Sequence, residues 1–117
     1  LEDIELPLEK LSTKKGTSAV YQLRFPKIGR YELVFRMSST LGELAQLPIS
    51  VFLSNTLQQT VTLNGTEGQT MERVVTLPIR QDGEKYMKLY FGESGIDMHR
   101  MFLRYAGKND IESFRNE

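Results

Sequence analysis

The sequence predicts an all-β domain, a two-sheet antiparallel β-sandwich in preference to a closed barrel, on three observations. Apolar residues recur at every second position in segment after segment, which is the spacing of a half-buried strand. Clusters of Gly, Asn, Asp and Pro punctuate those segments at short intervals. No stretch of the 117 residues carries a convincing helical pattern, and no repeat or low-complexity segment competes with the strand reading.

In order along the chain, Ala19 to Phe25 puts Tyr21, Leu23 and Phe25 on one face and Gln22 and Arg24 on the other. Pro26 ends this strand, and Lys27-Ile28-Gly29-Arg30 supplies a turn. Tyr31 to Met37 then alternates Tyr31, Leu33, Phe35 and Met37 with Glu32, Val34 and Arg36, so the two strands are expected to form a hairpin. Ser38 to Pro48 reads as a long surface connection whose one helical hint is Leu41 to Leu47. Ile49 to Leu53 and Leu57 to Leu63 flank Ser54-Asn55-Thr56 as a second hairpin. Asn64-Gly65 is the strongest turn dipeptide, because both residues tolerate positive φ, and Gly68 follows in the same loop.

Met71 to Ile79 is expected to turn Met71, Arg73, Val75, Leu77 and Ile79 to one face, with Asp82-Gly83 reversing the chain after it. Tyr86 to Phe91 sends Met87, Leu89 and Phe91 inward and leaves Tyr86, Lys88 and Tyr90 opposite. Gly92 to Gly95 forms a tight loop, and Ile96 to Tyr105 the last strand, with Met101, Leu103 and Tyr105 inward. Residues 1–107 are thus read as one module, and 108–117 as a polar tail that frays.

Composition narrows the function classes. Lys plus Arg balance Asp plus Glu at 15 each, so no net charge draws the chain to nucleic acid. No apolar run approaches the roughly 20 residues of a membrane span, and the N-terminal residues have neither the basic start nor the apolar stretch of a signal peptide. A chain without an initiator Met is expected to be a piece cut from a longer polypeptide. With no cysteine there is neither a disulfide framework nor thiol chemistry, and the redox compartment stays open.

The catalytic inventory is thin. His99 is the single histidine, no Gly-x-Ser-x-Gly elbow is present, and the structural role of a strand histidine beside Arg100 outweighs a triad. Glu67 and Glu93 are the one pair of loop carboxylates worth placing, with solvated charges as the alternative. Zinc lacks a Cys or His cluster, whereas calcium needs only oxygen ligands and stays open. Tyr86 and Tyr90 share one side of a strand and would form a platform for a sugar ring, with Phe52 on the same face; ordinary β-formers covering a sheet are the alternative. Asn64-Gly65-Thr66 matches a glycosylation acceptor but is read as turn chemistry.

The run Tyr21-Gln22-Leu23-Arg24-Phe25-Pro26-Lys27-Ile28-Gly29-Arg30-Tyr31-Glu32-Leu33 resembles the strand, proline, Gly-x-Tyr, strand signature of galactose-binding-like jelly-roll modules, often carbohydrate-binding modules attached to glycoside hydrolases. The resemblance runs through Ile49 to Leu53 with the Ser54-Asn55-Thr56 turn and closes at Gly95-Ile96-Asp97, covering about residues 19 to 105. It implies a non-catalytic accessory module of a larger glycan-active enzyme or surface protein, secreted to an extracellular, periplasmic or cell-surface location.

It also implies a structural calcium at Asp97, with Glu2 or Glu5 as the acidic partner, and glycan contacts from rim loops. Gln69, Met71, Glu93 and Ser94 are the candidate rim residues, beside the Tyr86/Tyr90 face. The family's rim aromatic has no counterpart in Gly68-Gln69-Thr70-Met71. The rival expectations are a structural or protein-interaction domain whose Tyr86, Tyr90 and Phe52 dock a neighbouring domain, and, last, an enzyme in its own right.

Overall fold

The computed structural model describes residues 1–107, and the tail expected at 108–117 lies outside the described residues. Alternation becomes eight strands: β1 (Ile4–Leu6), β2 (Ser18–Phe25), β3 (Gly29–Ser38), β4 (Gln46–Leu53), β5 (Thr56–Asn64), β6 (Met71–Ile79), β7 (Gly83–Phe91) and β8 (Asp97–Gly107). They pair antiparallel in two four-stranded sheets, ordered β1-β8-β3-β6 and β2-β7-β4-β5. The pairing nests around the β4–β5 hairpin, with β3 on β6, β2 on β7 and β1 on β8 outside it, as in a jelly roll. No helix among the described residues is long and apolar enough to cross a membrane.

The inward sets of both sheets meet in one core. Leu23 and Phe25 of β2, Leu33 and Phe35 of β3, and Leu89 and Phe91 of β7 are all buried there. Tyr21 is half-buried against the same core, and its hydroxyl donates to the Pro7 carbonyl at 2.8 Å. Burial pushes the Tyr21 hydroxyl pKa upward.

β2 and β3 do not form the expected hairpin. β2 lies beside β7 in one sheet and β3 between β8 and β6 in the other, so the Pro26–Ile28 connection crosses from layer to layer. Pro26 lacks the N–H a ladder needs, and Gly29 takes φ 148°, where a Cβ would sit 2.5 Å from the Tyr105 ring. Tyr31 closes the crossing. Its ring stacks edge-on against Phe25 and Tyr105 at 5.0 and 5.1 Å, and its hydroxyl donates to the Lys27 carbonyl at 2.7 Å. The Gly-x-Tyr signature is therefore a structural corner.

Asn64-Gly65 is likewise not a positive-φ turn. Around these two turns the left-handed residues are Ser54 and Asn55, in the β4–β5 turn, and Glu67 and Gly68, after β5. Gly65 is required for another reason, since a Cβ there would collide with the carbonyl oxygens of Gly42 and Leu41. Pro48 belongs to β4 and not to the preceding connection, and β1, which the alternation left unassigned, pairs Ile4, Glu5 and Leu6 with Leu103, Phe102 and Met101. The start of β6 overhangs the core: Met71 is exposed and Arg73 half-exposed, while Val75, Leu77 and Ile79 are buried.

Candidate functional site

Four connections gather at one end of the sandwich: β1–β2 (residues 7–17), β3–β4 (39–45), β5–β6 (65–70) and β7–β8 (92–96). Two of them are zipped by backbone bonds, Gly65 N to Ala45 O, Glu67 N to Leu41 O and Gly68 N to Ser39 O, at 2.8–3.2 Å. Thr66 ties the knot: its buried hydroxyl accepts from Ser39 N at 2.8 Å and donates to Ser39 O at 3.1 Å. The result is a rim set before any ligand arrives.

Beside this zipper lies a polar depression of about 390 Å³ whose lining includes Glu43, Asn64, Gln69, Met71 and Arg73. Of the four rim residues the sequence reading grouped, Gln69 and Met71 line this depression. Glu93 and Ser94 are placed elsewhere on the rim, where Lys15 holds both. The Lys15 backbone N–H donates to Ser94 Oγ at 2.8 Å, and its ammonium lies 3.5 Å from Glu93 Oε1. Leu41 stands between the two groups, against Gly95 on one side and Gly65 on the other. Glu93 is thus partnered by a cation, and Glu67 sits exposed at positive φ.

The calcium expectation finds no support in the side chains that would carry it. Asp97 is an exposed strand residue paired with Ser38, and no group of three or more His, Cys, Asp or Glu side chains able to hold a metal occurs among the described residues. Glu5 is committed to Arg100, whose guanidinium holds its carboxyl below the usual glutamate value, and Glu2 is exposed. His99 occupies the β8 bulge with Nε2 2.8 Å from Ser38 Oγ, the structural role expected of it.

The outer face of the β2-β7-β4-β5 sheet carries the tyrosines. β7 lies between β2 and β4, which sets Lys88 in register with Val20 on one side and Phe52 on the other, and Phe52 in turn with Leu57. Tyr90 falls in the neighbouring row with Ser18 and Ser50, and Tyr86 in the next with Gln22. Tyr86 is 57% and Tyr90 40% exposed, Val20 60% and Leu57 53%. The Lys88 ammonium rests 4.4 Å from the Phe52 ring centroid, and Ser50 and Thr60 hydroxyls bond at 2.8 Å. Tyr86, Tyr90 and Phe52 therefore share one open face, the two tyrosines by alternation within β7 and Phe52 by its register with Lys88. Sequence reasoning missed Val20 and the Lys88–Phe52 contact because register across strands is invisible within one strand.

The opposite sheet covers part of its exterior, although Val74 on that face stays exposed. Val34 and Phe102 point outward yet are buried, with Arg100 and Arg104 guanidinium carbons 4.0 and 6.0 Å from the Phe102 ring centroid. Ion pairs Arg100–Glu5, Arg36–Glu72 and Arg104–Glu32 fix those cations. The two faces differ, one with its aromatic ring capped by arginines and one with its tyrosines exposed.

Comparison with solved structures follows this geometry. A family 35 carbohydrate-binding module from Clostridium thermocellum superposes with TM-score 0.67 at 14% identity, over 89% of this chain and 88% of that one. The chain has the fold of a carbohydrate-binding module. A family 6 module from Cellvibrio mixtus lichenase 5A, in complex with cellotriose, aligns with this one at TM-score 0.59 and 16% identity, over 80% and 74% of the two chains. A beta-glucosidase from Paenibacillus barengoltzii contains a similar module, at TM-score 0.61 and 17% identity over 86% of this chain and 12% of that protein. In sequence the module is 28% identical over 102 residues to a beta-glucosidase of Ruminococcus albus. It spans about a tenth of that relative, 87% of this chain against 11% of the other. No family model matches the chain.

Proposed function

We propose that the chain is a non-catalytic accessory module that grips glycan through the open face of the β2-β7-β4-β5 sheet, as part of a larger secreted glycoside hydrolase. The carrying observation is the pair Tyr86 and Tyr90, exposed on one strand and flanked by the polar groups of Gln22, Ser50 and Lys88. An aromatic face stacks on the C–H surface of a pyranose while neighbouring hydroxyls, amides and ammonium bond its rim, the mix of apolar platform and few polar groups that small-ligand sites use. The fold likeness to sugar-binding modules and the match to a segment of a beta-glucosidase support this reading. The polar rim depression at Gln69 and Met71 lacks an aromatic and is the lesser candidate.

Titration calorimetry with cellotriose, xylotriose and laminaritriose tests it. Binding of at least one is expected, and Tyr86→Ala and Tyr90→Ala should each weaken it about tenfold, ~1.4 kcal/mol. Glu93→Ala and Gln69→Ala should leave it unchanged. No heat at millimolar sugar, or loss confined to the rim variants, would overturn the sheet-face site.

A further inference from the structure

Charge is spread along the chain except in one stretch. Residues 44–66 contain no Asp, Glu, Lys, Arg or His, although 26% of the chain is charged. That stretch is β4 and β5 with their turn and flanks, bounded by Glu43 and Glu67, and each of the other six strands carries at least one Asp, Glu, Lys or Arg. β5 is also a sheet edge, with seven of its nine residues exposed. An exposed edge is ordinarily blunted with charge, whereas β5 has only a bulge opposite Val51 and Phe52.

The open sheet face is divided accordingly. Alternation from Tyr86 and Tyr90 puts Glu84 and Lys88 on the β2–β7 half, with Arg24 in register with Glu84. The β4–β5 half offers hydroxyls and amides, with Ser50 in register with Thr60, Pro48 with Thr62 and Gln46 with Asn64. Ser50 is also in register with Tyr90, so one row leads from the aromatic ring to two hydroxyls bonded at 2.8 Å. Two inter-strand steps, roughly 10 Å, carry that row from Tyr90 to Thr60, far enough for a sugar beyond the one on the tyrosine to rest on hydroxyls. Charged side chains stand at the ends of the strip, Arg80 and Lys85 near Thr56 to Gln58, Glu43 and Arg73 near Asn64. Lys88 leans on the Phe52 ring, and Glu93, one residue beyond Gly92, faces Lys15.

We infer that the strip centred on Ser50, Thr60 and Thr62 is a second subsite of the sheet face, for an uncharged polysaccharide running across the strands from Tyr90 toward β5. The inference rests on the glycan reading of that face and adds the ligand's charge and direction. Hydroxyls and amides exchange water for sugar hydroxyls at small net cost, whereas an ion covered by an uncharged sugar loses hydration without gaining a partner. A surface that lies under a neutral chain is therefore built without ions, and one that meets only water has no such requirement. A carboxylate on the sugar reverses the balance. Over Ser50 and Thr60 it would be desolvated with no cation in the stretch to receive it.

Titration calorimetry on the 117-residue chain tests it, with cellotriose, xylotriose and laminaritriose and with the C6-carboxylate forms of cellotriose and laminaritriose. Ser50→Ala combined with Thr60→Ala should weaken the neutral sugar about fivefold, and the carboxylate forms should bind the wild-type chain about tenfold more weakly than their neutral parents. Thr60→Lys, an exposed change whose folding an unchanged urea midpoint confirms, should weaken neutral sugar and narrow that preference. Equal or tighter binding of the carboxylate forms, or a double variant that binds as the wild type does, overturns the inference; loss on Tyr86→Ala and Tyr90→Ala would then leave the sheet-face reading standing. Absence of binding by every sugar sinks both. A wild-type dimer in sedimentation that Thr60→Lys dissociates, with sugar binding unaltered, also overturns it and gives the strip to a second copy of the chain.

Discussion

At the scale of single residues, two close contacts set the most sensitive positions. Gly29→Ala must place a methyl against the Tyr105 ring at φ 148°, so a loss of about 2–3 kcal/mol is expected by urea melts. Gly68, also left-handed but with open space around its Cα, should lose only about 1 kcal/mol as alanine. Thr66→Val keeps the shape of the rim knot but leaves the buried Ser39 N–H without its partner, while Ser39 O keeps the Gly68 N–H, and this should cost about 1–3 kcal/mol. The Glu5 carboxyl titrates below its ordinary value of 4.5 because Arg100 bonds it, so its contribution to stability is present above that value and fades as pH falls through the lowered one. Glu5→Gln should flatten that acid limb in melts from pH 7 downward and leave neutral stability little changed, since both side chains are solvent-exposed.

Elements test the reading of turns and edges. Ser54 and Asn55 at φ 46° and 70° are both left-handed, the shape of a type I′ hairpin turn. Ser54→Asn with Asn55→Gly should therefore stabilise the module by about 0.5–1 kcal/mol, measured as a raised urea midpoint with unchanged slope. This hairpin was legible because Ser-Asn lies between two alternating runs. The β2–β3 hairpin was misread by the same grammar, since a short turn after a proline looks alike whether the chain folds back within one sheet or crosses to the other. Only the interior, which takes Leu23 from one layer and Leu33 from the other, decides that. Phe102 escaped for a related reason: Met101-Phe102-Leu103 breaks the alternation, and the arginines that bury its ring lie two residues away on either side, a pattern readable only once Arg100 and Arg104 are known to lean inward.

For the whole molecule, the alternation of seven segments sufficed for fold class and core because it reports burial directly. The candidate site was legible in part: one strand's alternation gave Tyr86 and Tyr90 a common face, but the separation of Glu93 and Ser94 from Gln69 depended on Leu41 and Lys15, which reach the rim from distant parts of the chain. The nesting of β1 with β8 and β2 with β7 requires strands far apart in sequence to meet before the sheets close. Refolding after dilution from urea is accordingly expected on the scale of about milliseconds to seconds, slower than for a helical domain of this size.

The arginine-capped ring of Phe102 has a consequence for the proposed grip. If glycan binds the Tyr86/Tyr90 face as proposed, each copy offers a single binding flank to a fibre, and stronger attachment to an insoluble polymer would come from copy number, with tandem copies spaced so that their flanks reach the same strand of substrate.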